Sequence, residues 1–192
     1  MDTLWSASLL RQYDETIDMV AGALRDCPAE LWEESMWEVR RDHPFVLPVR
    51  RNGGNLCAGQ SDDQAIQVFS EFWNVAYHAL YFLDLYLQVE ADGFNPPAPF
   101  ANEQDAGVLP HRVYTRQELL AYLEHNRQKA TVTLAGMTDE QARLPCGPEG
   151  HQEPFAQKLL GNVRHVQEHG AQLNMFLGQR AGWIYDVAAH AS

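Results

Sequence analysis

The segment NVRHVQEHGAQ, residues 162–172, sets His165 and His169 four positions apart, with Gln172 three further on. On an α-helix, residues four apart lie one above the other with Cβ atoms about 5–6 Å apart, so both imidazoles can reach one metal ion. Neutral imidazole suits borderline divalent metals. A third histidine from another element would leave one coordination place for water or substrate. His78, in FWNVAYHALYFLDLYL, is the candidate third ligand. The plain alternative stands beside this reading. Eight histidines in 192 residues will sometimes fall four apart by chance, and a boundary histidine such as His78 often just hydrogen-bonds to a neighbour.

Four amphipathic segments could carry these residues. Leu10, Tyr13, Ile17, Val20 and Leu24 repeat at helical spacing and stop at Cys27-Pro28, where proline disfavours more helix, so the first helix is expected from about Thr3 to Asp26. Ile66, Phe69, Trp73, Ala76, Leu80, Leu83 and Leu87 follow a Ser61/Gln64 capping box and predict one helix from Asp62 to about Val89. A Thr115/Glu118 box opens a third, carrying Leu119, Leu123, Ala130 and Leu134 and ending at Gly136 as a left-handed cap. The fourth is expected with Pro154 as its first residue, running through Leu159, Val163, Val166, Leu173 and Leu177 to Gly178. No alternating strand competes, so the expected class is an all-α, four-helix bundle with long inter-helix loops, forming a single domain over residues 1–192. The short segments PAELWEE and TDEQARL, after the first and third helices, read as helical turns.

Projection at roughly 100° per residue centres the second helix's core stripe on Phe69, Ala76 and Leu83 and puts His78 at its margin, beside Val75 and Phe82. On the fourth helix, His165, His169 and Gln172 lie along one margin of the Leu159, Val163, Val166 and Leu173 stripe. Both histidine sets border faces that must meet inside a bundle.

Other constellations are weaker. Glu124-His125 resembles half of a di-iron carboxylate site, but the paired Glu-x-x-His motifs are missing. Val166-Gln167 follows His165, which excludes HExxH, and no phosphate-binding glycine loop or GxSxG elbow occurs. Cys146 stands in a loop before the fourth helix as a candidate reactive thiol or further ligand; inertness is the commoner outcome for a single loop cysteine. His43 and His111, beside prolines in the long loops, read as surface residues with some chance of reaching the site. Tyr77 and Tyr81 read as outward residues that line a pocket.

A net charge of -12 repels nucleic-acid phosphate and anionic membrane surfaces, which leaves small molecules and proteins as partners. Three widely spaced cysteines fit reduced thiols in a cytoplasmic protein. The amino-terminal stretch lacks a signal-peptide pattern, and no window of about 18 uncharged apolar residues predicts a membrane span. Monomer and homodimer both stay open.

At FWNVAYHALYFLDLYL and HVQEHGAQLNMFLGQ the chain resembles the DinB-like superfamily, the DNA-damage-inducible four-helix proteins that share their scaffold with YfiT-like metal-dependent hydrolases. The resemblance spans about Leu4 to Gln179. It implies an up-down-down-up bundle with His78, His165 and His169 binding a divalent ion, commonly zinc or nickel. Relatives of this kind include transferases that use bacillithiol or mycothiol and a maleylpyruvate isomerase, so a low-molecular-weight thiol is an expected co-substrate. The insertion around RRNGGNLCAGQ and the tail RAGWIYDVAAHAS depart from simpler members. The expected function is a metal-dependent enzyme, a hydrolase or thiol S-transferase for a small-molecule substrate, in which the open metal place supplies hydroxide or thiolate near neutral pH. Gln172 would orient a ligand or the nucleophile. The alternative is a non-catalytic metal- or ligand-binding protein of a stress response.

Overall fold

The computed structural model describes residues 4–42, 48–51, 56–90, 92–102, 108–147 and 152–182; among them helix predominates, and the named strands are two residues long. Helix α1, Leu4–Asp26, buries the expected Tyr13, Ile17, Val20 and Leu24 and ends before Pro28, which leads into a 3-10 turn at Ala29–Leu31. Arg50–Arg51 (β1) pairs in parallel with Val108–Leu109 (β2).

The expected helix from Asp62 to Val89 is broken. Its capping box forms as expected, and α2 covers Asp62–Ala65. A 3-10 stretch then runs from Ile66 to Ser70, Glu71 is extended, and α3 begins afresh at Phe72–Tyr86. The cause is competition for backbone groups. Ser70 O accepts from Met36 N at 2.8 Å, while Phe72 N and Trp73 N donate to Glu34 O and Trp32 O at 3.1 Å each. The chain at 32–36 therefore takes bonds that a continuous helix would keep for itself, and it supplies the orphan donors of the new amino end. Apolar periodicity runs through the break because both pieces face one core.

Helix α4, Arg116–Ala135, opens with the Thr115/Glu118 box, but Gly136 closes it at φ -107°, outside the left-handed region. A third capping box, Thr138 with Gln141, opens the short α5, Asp139–Ala142. Pro145–Cys146 (β3) pairs antiparallel with Glu153–Pro154 (β4). Pro154 thus stands before α6, Phe155–Ala181, rather than inside it. The helix passes Gly178 and stops at Gly182, whose φ of +66° makes it the left-handed cap.

Side-chain bonds between helices give their relative directions. Tyr13 donates to Leu159 O at 3.0 Å, and Gly170 meets Met19 and Val20, so α1 and α6 run in parallel. Asn162 donates to Leu83 O at 3.1 Å while Phe72 touches Phe176, so α3 runs against α6. Asn126 bonds Leu80 O at 2.9 Å and Lys129 reaches Asp84, so α4 runs with α3. Arg127 binds Asp14 and Asp18 while Arg116 reaches Cys27 O, so α4 opposes α1. The Asn126 and Asn162 amides each use a spare lone pair on a carbonyl already inside α3, joining two helices without breaking either ladder. Between α3 and α4, the nearly inaccessible Asp84 carboxylate holds Lys129 Nζ at 2.5 Å and the Tyr122 hydroxyl at 3.0 Å.

Tyr77 and Tyr81 do not face outward. Both are buried beneath residues 100–102, with their hydroxyls donating to Ala101 O and Asn102 Oδ1. Cys27, Cys57 and Cys146 are unpaired thiols. A thiol titration of the unfolded, unreduced chain should accordingly find three equivalents; one would mean a disulfide. No helix among the described residues is long and apolar enough to cross a membrane.

Candidate metal centre

Because α3 and α6 are antiparallel neighbours, the margin of α3 that carries His78 faces the margin of α6 that carries His165 and His169. The ring of His78 lies 5.3 Å from that of His165 and 4.8 Å from that of His169, centre to centre. The two α6 rings are 4.6 Å apart, with their Nε2 atoms at 3.1 Å. One ligand nitrogen from each residue falls within 4.8 Å of the others, and this trio is the one such group among the described residues.

These separations fit a metal. With ligand bonds of about 2.0–2.1 Å, two nitrogens at corners of a tetrahedron sit about 3.3 Å apart. The α6 pair, at 3.1 Å, is already close to that value, and His78 offers a nitrogen within 4.8 Å of both. Gln172 is placed as the spacing suggests: its Oε1 lies 2.8 Å from His169 Nδ1. Accepting the Nδ1 proton leaves the Nε2 lone pair free for a ligand bond and fixes the ring's orientation. His165 lacks this support, since its buried Nδ1 has no partner among the described residues.

Burial holds the centre neutral. The His165 imidazole is pushed down to about 4, chiefly by burial and then by the neighbouring His169 and His78. Burial also lowers His169, against the opposing effects of Gln172 and Glu168. At neutral pH both rings are neutral; with His169 donating from Nδ1 to Gln172, the bond between the two Nε2 atoms is donated by His165, and a metal ion would displace that one proton. Below the ordinary imidazole value near 6.5 the unfolded chain binds protons that the folded site refuses, so stability falls from there towards about pH 4 and gains nothing above 6.5. Melting temperatures of metal-free protein should decline across that interval, with a shallower decline in His165→Gln. Equal slopes would contradict the burial of this ring.

The remaining candidates lie elsewhere. His125 stands 3.7 Å from Asp84 on the α4 side, and His111 packs on Tyr114. Cys146 is buried with its thiol donating to Glu153 O at 3.3 Å, and burial raises its pKa, the reverse of an activated thiol. His43 lies outside the described residues.

Sequence reasoning placed Phe82 beside His78 but missed Tyr86 and the wall that the two rings form beside the trio. Phe82 sits 4.7 Å from the His78 ring and 5.5 Å from His165, and Tyr86 lies 6.3 Å from His165. The signal was present, since 78, 82 and 86 share one helical face at steps of four. Compared with protein-family models, curated proteins and solved structures, the chain matches none of them.

Proposed function

We propose that the chain is a DinB-like metal-binding protein, an enzyme of the hydrolase or thiol S-transferase type that acts on a small molecule through a divalent ion held by His78, His165 and His169. The observation that carries this reading is the convergence of three imidazoles, from two separate helices, on one point. An up-down-down-up four-helix bundle is the proposed scaffold. Its support is the set of helix directions: α1 and α6 parallel, α3 and α4 parallel, and the two pairs opposed.

His78, His165 and His169 would hold a divalent ion, zinc or nickel, which when bound would supply a place for water or a low-molecular-weight thiol and lower its pKa. The chain's own residues do the rest. Gln172 holds His169 in the tautomer that ligates. Phe82 and Tyr86 present rings beside the histidines and limit water there. The net charge of -12 supports a small-molecule partner over nucleic acid.

Protein purified without a histidine tag and reconstituted with zinc, nickel, cobalt and manganese in turn should hold about one ion per chain by elemental analysis. Content well below that with all four metals would sink the centre. Turnover of thiol-acceptor or ester substrates by the loaded protein then separates the enzyme from the non-catalytic binding protein.

A further inference from the structure

Lys158 stands seven residues before His165 on α6, nearly two full turns, and so shares its helical face. Its ammonium donates to Gln88 O at 3.0 Å and Val89 O at 3.4 Å, the carbonyls just past the end of α3. Those bonds hold Nζ 5.5 Å from the centre of the Tyr86 ring, which is itself 6.3 Å from His165. Phe82 and Tyr86, 5.4 Å apart, floor the interval between the ammonium and the histidines.

Lys158 is held by carbonyls and not by an ion pair among the described residues. Lys129, the other lysine of the chain, is neutralised by Asp84 at 2.5 Å. Lys158 has no carboxylate within ion-pairing distance among the described residues, although Glu153 and the Cys146 thiol act on it from farther off. Two of its three N–H groups go to backbone carbonyls, which leaves one donor for a ligand. Screening confines electrostatics to about 8 Å at physiological salt, so a small anion near this spot meets the Lys158 ammonium, opposed locally by Glu153, which acts on both Lys158 and Tyr86, more than the distant acidic surface.

We propose that Lys158 forms an anion subsite of the three-histidine centre, selecting small substrates that carry a carboxylate on a flat apolar body which rests on Phe82 and Tyr86 while the reacting end reaches the histidines. The inference rests on the metal-centre reading above and adds the substrate class to it. The rival account is structural: Lys158 merely ties α6 to the end of α3.

The test uses the cobalt-loaded full chain and two probes, para-(mercaptomethyl)benzoate and its methyl ester, with the thiolate-to-cobalt absorption band as the readout. The acid should bind about tenfold tighter than the ester, as expected for one hydrogen bond to a charged group, and the preference should shrink with added salt. Lys158→Gln should bring the ratio close to one while leaving the cobalt spectrum unchanged. Lys158→Arg should keep the preference, which separates charge from any effect of the substitution on folding. Equal binding of acid and ester by the parent, or a preference that survives in Lys158→Gln, would overturn the subsite alone. Absence of a cobalt spectrum in the parent would overturn the metal centre and the subsite together.

Discussion

Replacing His78 with alanine should weaken zinc or nickel binding by more than the roughly 10–100-fold that loss of a ligand's hydrogen-bonding partner costs. The reason is geometric. His165 and His169 share one helix and can hold an ion weakly by themselves, whereas His78 comes from α3 and converts a two-point contact into a three-point cage. Gln172→Ala removes only the support of His169 and should fall within that smaller range. His125→Ala should leave binding unchanged, because its ring packs on Tyr122 and faces Asp84 on the α4 side. Competition titration with a chromophoric chelator measures these three variants and His165→Ala beside them. If His78→Ala binds as tightly as the parent while His165→Ala does not, the three-histidine centre is wrong, and the proposed chemistry falls with it.

Asp84→Ala should cost about 3 kcal/mol of stability, the low end of the range for removing one partner of a buried ion pair. The carboxylate is 2% exposed and its partner Lys129 is 25% exposed, so the stranded ammonium regains some water but not full hydration. The Tyr122 hydroxyl loses its acceptor in the same step. For a chain of this size the loss corresponds to a fall of roughly 10 °C in melting temperature. Joint replacement, Asp84→Leu with Lys129→Met, should recover most of it by removing both charges. Zinc binding by the folded fraction should be unaffected, since Asp84 points to α4 and the histidines to α6. A single variant that melts with the parent would show that the pair contributes nothing to joining these helices.

Much of this arrangement could be read from residue order, and the failures share one cause. Capping boxes and apolar spacing located α1 and the starts of α2 and α4, because each depends on neighbours within a turn or two. The histidines were legible for the same reason, since a helical projection gives their margins and two margins facing one core bring them together. The break at Glu71 was not legible, because it depends on carbonyls and amides nearly forty residues away. Tyr77 and Tyr81 were misread similarly: the segment that covers them lies in a long loop whose path no local pattern determines. Gly178 looked like a stop, yet the helix continues for another turn to Gly182, where the positive φ is adopted. Lys158 carried no signal by itself; its meaning comes from Tyr86 and the end of α3.

The amino end of α3 has a consequence for the order in which the chain can assemble. Its first two backbone donors are completed by Glu34 and Trp32, partners that arrive only after a long stretch of chain has looped back. Closing such a loop costs conformational entropy before any contact rewards it, so the fully capped form of α3 belongs late in folding. A peptide carrying only 72–86 would fray at this end, within two turns of His78. The segment from Trp32 to Met36 contains no histidine, yet the helix that presents His78 is finished only when that segment docks.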